Sequence, residues 1–215
     1  FLKIKNLKFK MSKYFDLLES YFTEIPPEKI EIYRSLYNIY KGINDKVNLI
    51  SRKDFENFYL HHIIHSLSIA KFRLIKNDDK KILDLGTGGG LPGIPLAIYY
   101  NEKKFVLIDS IRKKISAVDK IIKKINAKNI TTINDRSENL NIKSDVIICR
   151  SVSSIDNLIQ WTKGQLVNQG RLILLKGGNV NKELKNISSS FTLYNLDDIY
   201  SDNYFKDKKI IEIHR

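Results

Sequence analysis

The pattern of hydrophobic and polar residues changes near residue 81 and divides the chain into two parts. Before this point apolar residues recur at helical spacing, as Leu18 and Phe22 do, and Pro27 stands where it can open a second helix. A third helix is predicted from Asp54, a suitable N-cap residue, to about Leu74. The first third of the chain is therefore predicted to be helical.

After residue 81, short apolar runs alternate with amphipathic helical segments, which is typical of βαβ units and a parallel sheet. Residues 191–213 are predicted to form an antiparallel pair that closes the sheet. We therefore predict an α/β fold: a doubly wound, mainly parallel seven-stranded sheet with an N-terminal helical cap. The predicted boundaries are an extension over residues 1–11, the cap over 12–80 and the core over 81–215. The apolar runs are Ile82-Leu83, Phe105 to Ile108, Ile130 to Ile133, Val146 to Ile148 and Leu172 to Leu175.

The charge of the chain adds a candidate partner to this picture. The 215 residues include 37 Lys and Arg against 24 Asp and Glu, which gives a net charge of +13. A polyanionic partner explains this excess, and so does a lysine-rich composition unrelated to function.

Several of these lysines lie on the helix predicted after Asp109. Its apolar stripe, which would face the sheet, is Ile111, Ile115, Val118, Ile122 and Ile125. Lys113 and Lys114 lie nearest the sheet edge, and Lys176 ends a later strand, so we expect these three to contact the phosphates of a polyanionic partner. A solvated surface is the alternative for each of them.

Cysteine content and the ends of the chain indicate a cellular compartment. A single cysteine, Cys149, excludes an internal disulfide and fits a reducing compartment. No stretch resembles a secretory signal or reaches the roughly 20 apolar residues of a membrane helix. We expect a cytoplasmic protein without a membrane partner, and a monomer.

Two groups of reactive side chains have simpler interpretations than catalysis. Cys149 lies at a strand end, where a packed core residue is favoured over a nucleophile. His61, His62 and His65 share one predicted helix, and two of them have the i, i+4 spacing that can bind a metal. No Glu or Cys completes such a site, so we predict no metal and a packing or hydrogen-bonding role for His62.

The segment from Asp84 to Pro95 is the strongest chemical signal. It follows the first predicted strand, contains Gly86, Gly88 and Gly90, and leads into a helix near Pro92 or Gly93. Glycines let the backbone approach a ligand closely, and a helix N-terminus presents free N–H groups. In a doubly wound sheet this first βα turn binds the cofactor.

The glycine pattern favours one class of cofactor. A dinucleotide fingerprint, G-x-G-x-x-G, fails from Gly86, and from Gly88 it starts too far past the strand and includes Pro92. An acid followed by G-x-G-x-G is the usual methyltransferase form of this turn. Asp109, at the end of the second strand, can accept hydrogen bonds from ribose hydroxyls, but NAD enzymes share that acid. It therefore supports a nucleoside cofactor without choosing between the two.

The string from Gly86 to Leu96, Gly-Thr-Gly-Gly-Gly-Leu-Pro-Gly-Ile-Pro-Leu, closely resembles the RsmG family, also called GidB. The resemblance extends over roughly residues 12–214. Further matches, in chain order, are Asn44 with Asn48-Leu49, His62 with Ser66-Leu67, Leu107 to Ser110, Asp145 to Arg150, and Leu175 to Gly177.

This resemblance implies a cytoplasmic enzyme that uses S-adenosyl-L-methionine to methylate N7 of a guanine in 16S ribosomal RNA. It implies 16S rRNA or the small ribosomal subunit as partner. The cofactor contacts expected from the resemblance and from the turn are Gly86, Thr87, Gly88, Gly90, Leu91, Asp109, Ser137, Glu138 and Arg150.

Four departures from the family pattern lie away from the glycine turn. His65 stands for an aspartate, Ile50 for a threonine and Ile43 for an aromatic residue, while Lys208-Lys209 stands for an arginine or histidine. These departures concern the recognition of RNA more than the cofactor.

Arg150 is the side chain expected to act in the reaction, as a positioning group without a covalent nucleophile. It ends the fourth strand, where it can hold a carboxylate or a guanine edge; a surface salt bridge is the alternative. Two other functions stay open: methylation of another RNA or a small molecule, and nucleotide binding without catalysis.

Overall fold

Seven strands form one sheet across the described part of the chain, which in this computed structural model comprises residues 14–185 and 187–214. The strands are β1 (Lys81–Leu85), β2 (Lys104–Ile108), β3 (Ile130–Ile133), β4 (Ser144–Arg150), β5 (Leu166–Gly177), β6 (Phe191–Asn195) and β7 (Lys208–His214). Their order is β3-β2-β1-β4-β5-β7-β6, parallel from β3 to β5, with β7 antiparallel to both neighbours. The predicted doubly wound sheet and its closing antiparallel pair are confirmed.

Successive residues of each central strand face opposite sides of the sheet, and both sides are covered. In β1, Ile82 joins one apolar cluster and Leu83 joins the other, and β2 repeats this with Phe105 and Val106. The continuous apolar runs of the sequence arise because helices cover both faces.

Helices on both sides of the sheet complete the fold. Helix α1 covers residues 14–21. The others are α2 (Pro27–Asn44), α3 (His65–Lys71), α4 (Gly93–Tyr99), α5 (Arg112–Lys124), α6 (Ile155–Trp161) and α7 (Asn181–Leu184). Pro27 opens α2, as predicted, because its fixed φ suits the first turn and its missing N–H is not needed there.

The cap of α1 to α3 joins the cluster on one face of the sheet. Leu36 and Tyr40 of α2 are fully buried there beside Ile94 of α4. The predicted extension over residues 1–11 and the start of the first predicted helix lie outside the described residues. Nowhere in the described chain is a helix both long and apolar enough to span a membrane.

The segment predicted as one helix from Asp54 to Leu74 has three geometries. A 3-10 turn (Phe55–Asn57) leads into a π-helical stretch (Phe58–Ile64) and then into α3, which ends at Lys71. π-helical turns are rare and are frequent at functional sites. The simple helix prediction was wrong here because helical periodicity does not distinguish the two hydrogen-bonding patterns.

One residue of the predicted apolar stripe of α5 is not buried against the sheet, so its prediction was wrong. Ile115 and Val118 are buried, but Ile111 is 45% exposed. Ile111 is the N-cap and has extended dihedrals, so its side chain leaves the helical stripe and lies at the mouth of a cavity.

Candidate active site

The side chain of Asp84, the fourth residue of β1, connects the glycine turn to the start of α4. Its Oδ2 accepts hydrogen bonds from the Thr87 hydroxyl (2.6 Å) and from the Gly93 amide at the start of α4 (2.8 Å). Burial raises the pKa of Asp84 to about 6, although these two hydrogen bonds and the nearby Arg150 lower it. Gly86, Gly88 and Gly90 all have positive φ, which only glycine adopts without strain.

Asp109 fixes the turn from the neighbouring strand. One oxygen accepts from the Gly88 amide (2.9 Å) and the other from the Ile111 amide (2.8 Å). Asp109 is 8% exposed and lines the surface of a cavity. Each carboxylate oxygen keeps a further acceptor site, so Asp109 can receive ligand hydroxyls.

A cavity of about 880 Å³ opens where the order of the strands reverses between β1 and β4. Ligands of doubly wound sheets bind in this crevice, beyond the carboxyl ends of the strands. One side is lined by the predicted Gly86, Thr87, Gly88, Leu91 and Asp109, together with Gly89. The other side is lined by His61, His62, His65, Lys176, Tyr204 and Lys208.

Gly90 is the predicted turn residue that does not line this cavity. A Cβ on it would collide with the side chain of Ile94, so Gly90 lies at the back of the turn. Gly89, in contrast, does line the cavity, and its carbonyl accepts a hydrogen bond from Tyr40 (2.8 Å).

Ser137 and Glu138 line a smaller adjoining cavity of about 160 Å³ together with Gly86 and Asp109. They lie in a 3-10 turn after β3, and the Ser137 hydroxyl donates to Glu138 (3.1 Å). The side chain of Val152 lies close over Gly86, between the two cavities, and a Cβ on Gly86 would be 2.5 Å from it.

Arg150, the last residue of β4, is placed between the two sides of the larger cavity. Its guanidinium donates to the His61 carbonyl and to His62 Nδ1, both at 3.3 Å. Burial lowers its pKa, while Tyr204, Asp84 and Tyr40 act in the opposite direction. These contacts with the cap place Arg150 in the cavity, in contrast to the surface salt bridge considered from the sequence.

The three histidines form a cluster of polar side chains with Asp54 and Tyr204. Asp54 lies 2.5 Å from His61 Nδ1 and 2.9 Å from His62 Nε2. Burial alone would raise the pKa of Asp54, but the two histidines outweigh this effect and hold the pKa well below its usual value. Tyr204 stacks on His61 with ring centroids 3.8 Å apart and lies 3.0 Å from His65. Within residues 14–185 and 187–214, no three His, Cys, Asp or Glu side chains are grouped to hold a metal ion.

Asp54 and Tyr204 were missed as site residues. Asp54 was expected to cap a helix, but in the described chain its side chain makes no capping hydrogen bond and turns to the histidines. Tyr204 precedes β7 and lines the cavity, although it is 139 and 143 positions away in sequence from its partners His65 and His61. No local sequence pattern identifies such a contact.

The three lysines expected to contact RNA have different environments. Lys113 is exposed on α5, and Lys114 lines the cavity 4.0 Å from Asp109. Lys176 donates to the Ser153 carbonyl (2.7 Å) and to Glu183 (3.0 Å). Its charge is therefore partly neutralised within the protein.

Cys149 is 1% exposed, and burial raises the pKa of its thiol to about 12. A thiol of this kind is a poor nucleophile at neutral pH. The packed-core interpretation of Cys149 agrees with this placement.

Comparison with known proteins identifies the family. Residues 29–207 match the GidB family model, described as rRNA small subunit methyltransferase G. The chain belongs to this family. The GidB relatives include the ribosomal RNA small subunit methyltransferase G of Christiangramia forsetii, 39% identical over 91% of this chain and 95% of the relative. The protein of that name from Flavobacterium johnsoniae is 37% identical over 92% and 97%.

Solved structures confirm the predicted fold of this GidB protein. The magnesium protoporphyrin IX methyltransferase of Synechocystis, with bound SAM, superposes with a TM-score of 0.60. It is 16% identical, over 89% of this chain and 98% of that one. An rRNA methylase from Streptococcus thermophilus gives a TM-score of 0.51 at 16% identity, over 73% and 98%. At this identity the likeness concerns the class I methyltransferase fold alone.

Proposed function

We propose that this chain is an S-adenosylmethionine-dependent ribosomal RNA methyltransferase that modifies N7 of a guanine in 16S rRNA. The observation that carries the proposal is the glycine turn with Asp109 at the switch point of a GidB-family sheet. Membership of this family and the methyltransferase fold support S-adenosylmethionine as the cofactor.

The residues of the larger cavity fit this cofactor. A Cβ position on Gly88 meets only a backbone oxygen at 3.9 Å within the described chain, so a ligand can approach the backbone there. Asp109 would hold the ribose hydroxyls, Gly86 and Gly88 would lie against the nucleoside, and Ser137 would line the adjoining cavity. The bound cofactor supplies an electrophilic methyl group on a sulfonium centre.

Arg150 fits best as the partner of the cofactor carboxylate. N7 of the target guanine must keep its lone pair free to receive the methyl group, so Arg150 cannot bind N7 and O6 together. A cation on the base would also oppose the positive charge that develops on the ring. A guanidinium paired with a carboxylate makes two hydrogen bonds and leaves the reacting atoms free.

The reaction requires orientation more than proton transfer. Guanine N7 is already an unprotonated acceptor on the base edge, so no general base is needed. Holding two reactants in line contributes roughly 7–11 kcal/mol to such a step. The cavity side lined by His61, Lys176, Tyr204 and Lys208 is where the base would enter.

The charge of the chain suits an RNA partner. Lys113 is exposed and directly precedes Lys114, which lines the cavity, and the net charge is +13. We propose that these lysines and Lys176 contact rRNA phosphates of the small subunit. The protein would act as a monomer, without a metal, in the cytoplasm where ribosomes assemble.

The test is methyl transfer by the purified protein to small subunits and to naked 16S rRNA from cells that lack the family's enzyme. We expect one new N7-methylguanosine in the digested RNA by mass spectrometry, and a greatly reduced but measurable amount of it with Arg150→Ala. A methyl group at another position, or on small molecules alone, would reject the 16S assignment. Calorimetric binding of NAD without binding of S-adenosylhomocysteine would reject the methyltransferase itself.

A further inference from the structure

A chain of three side chains connects the helical cap to the end of β4. Asp54 Oδ2 lies 2.9 Å from His62 Nε2, and His62 Nδ1 lies 3.3 Å from a guanidinium nitrogen of Arg150. His62 and Arg150 are 88 positions apart in sequence. His62 has 12% of its side chain exposed, Asp54 has 33%, and Arg150 is partly buried.

The arrangement determines which nitrogen of His62 carries the proton. Arginine only donates hydrogen bonds, so Nδ1 of His62 must be the acceptor. The proton of the neutral ring is then on Nε2, where it faces the Asp54 carboxylate. Asp54 Oδ2 lies 2.9 Å from Nε2, outside the alignment of a directed hydrogen bond, so it is the negative charge of Asp54 that favours the tautomer able to receive Arg150.

We propose that His62, whose Nε2–H tautomer is favoured by the nearby charge of Asp54, is a positioning residue that holds the Arg150 guanidinium in the cavity without neutralising its charge. This inference rests on the proposed function, since it assigns Arg150 a ligand in the cavity.

The chemistry of a neutral imidazole explains why it is suited to this role. A carboxylate in direct contact with Arg150 would bind it in a bidentate manner and compete with a ligand carboxylate. An imidazole uses one N–H of the guanidinium, and the His61 carbonyl uses another. Arginine has five such N–H groups, so a planar face of donors stays available to a ligand.

The first test is a double-mutant cycle on methyl transfer to 16S rRNA. We expect His62→Ala to lower kcat/KM by roughly 10- to 100-fold, since a displaced positioning group costs about that much. In an Arg150→Ala background the same substitution should cause no further loss, because His62 acts through Arg150. Losses that multiply in the double variant would overturn the proposal, since a merely structural role predicts them.

The second test compares two substitutions that each keep half of the histidine. His62→Asn places an amide oxygen near the Nδ1 position and keeps the acceptor for Arg150. His62→Gln places its amide near Nε2 and keeps only the contact with Asp54. We expect His62→Asn to retain more activity than His62→Gln. In His62→Gln, the KM for S-adenosylmethionine should change in the same direction as it does in Arg150→Ala. Equal activities, or a better Gln variant, would contradict the proposal.

The controls separate this inference from folding and from the proposed function. His214 is 41% exposed at the end of β7, so His214→Gln should leave kcat/KM unchanged. Thermal unfolding of each variant checks that the fold is intact. If the wild-type protein transfers no methyl group, the proposed function fails. The positioning of Arg150 by His62 can then still be tested by ¹⁵N NMR of the His62 ring nitrogens. We expect the wild-type His62 ring to carry its proton on Nε2 alone, and a proton on Nδ1 would overturn the positioning role.

Discussion

Asp109 and Gly88 are joined by a hydrogen bond of 2.9 Å from the glycine amide to the carboxylate. This bond links the end of β2 to the turn that follows β1. The second oxygen of Asp109 is held by the Ile111 amide at the start of α5. The acid is therefore oriented by two backbone N–H groups before any ligand arrives.

Replacing Asp109 by asparagine should weaken the binding of S-adenosylhomocysteine. The amide nitrogen of asparagine would face one of the two backbone donors, and the charged acceptor for ligand hydroxyls would be lost. Hydrogen bonds to charged groups contribute about 1.5–3 kcal/mol, so we expect roughly a 10- to 150-fold rise in Kd by calorimetry. Asp119→Asn, on the exposed side of α5, is the control. Equal Kd values for both variants would refute this role of Asp109.

Gly93→Ala should destabilise the fold. A Cβ there would lie 2.6 Å from Asp84 Oδ2 and 2.9 Å from Leu107, and both of these side chains are fully buried. Crowding of this kind costs about 1–3 kcal/mol. Gly42→Ala is the matched control, because Gly42 lies within α2 with open space around its Cβ position in the described chain. It should stabilise by roughly 0.5–1 kcal/mol. Urea unfolding of both variants measures the difference, and a stable Gly93→Ala would show that the turn yields more easily than its contacts indicate.

Asp84 should make the stability of the protein depend on pH in an unusual direction. Burial raises its folded pKa to about 6, so between the unfolded pKa of 3.8 and this value the folded state binds more protons. The contribution of Asp84 is thus favourable at low pH and is lost as the pH rises through about 6. The free energy of unfolding of Asp84→Asn minus that of wild type should increase by about 2 kcal/mol from about pH 4 to about pH 7. A difference that stays constant with pH would contradict the raised pKa.

Lys113 and Lys114 should affect RNA binding through charge. Each phosphate contact contributes about 0.7–0.9 to the slope of log K against log salt, so Lys113→Ala with Lys114→Ala should reduce the slope by roughly 1.5. Lys124→Ala is the control, since Lys124 ends the same helix at a distance of about 15 Å along its axis from these lysines. Filter binding to 16S rRNA fragments over a range of salt measures the slopes. The same slope for the wild type and the double variant would exclude these contacts.

The sheet, the glycine turn and the residues at strand ends could be predicted from the sequence, because each depends on a short stretch of the chain. The turn from Gly86 to Gly90 and the acid Asp109 follow directly from strand ends, because parallel strands bring their carboxyl ends to one edge of the sheet. The same argument placed Arg150 at this edge, where the structure has it. The alternation of short apolar runs with helices predicted the sheet because each run is covered on both faces.

The contacts across the cavity could not be predicted in this way. Tyr204 meets His61, and His62 meets Arg150, only after the cap has packed on the sheet. The π-helical stretch Phe58–Ile64 has the apolar pattern of an ordinary helix, so its unusual geometry has no sequence signal. Asp54 looked like a helix cap because a short acid before a helix is most often one.

A crystal structure of the protein with S-adenosylhomocysteine tests the central claim most directly. We expect the nucleoside to lie against Gly86 and Gly88, its ribose hydroxyls to bond to Asp109, and its carboxylate to meet Arg150. A nucleoside bound elsewhere in the crystal, or a ribose that makes no contact with Asp109, would contradict the account.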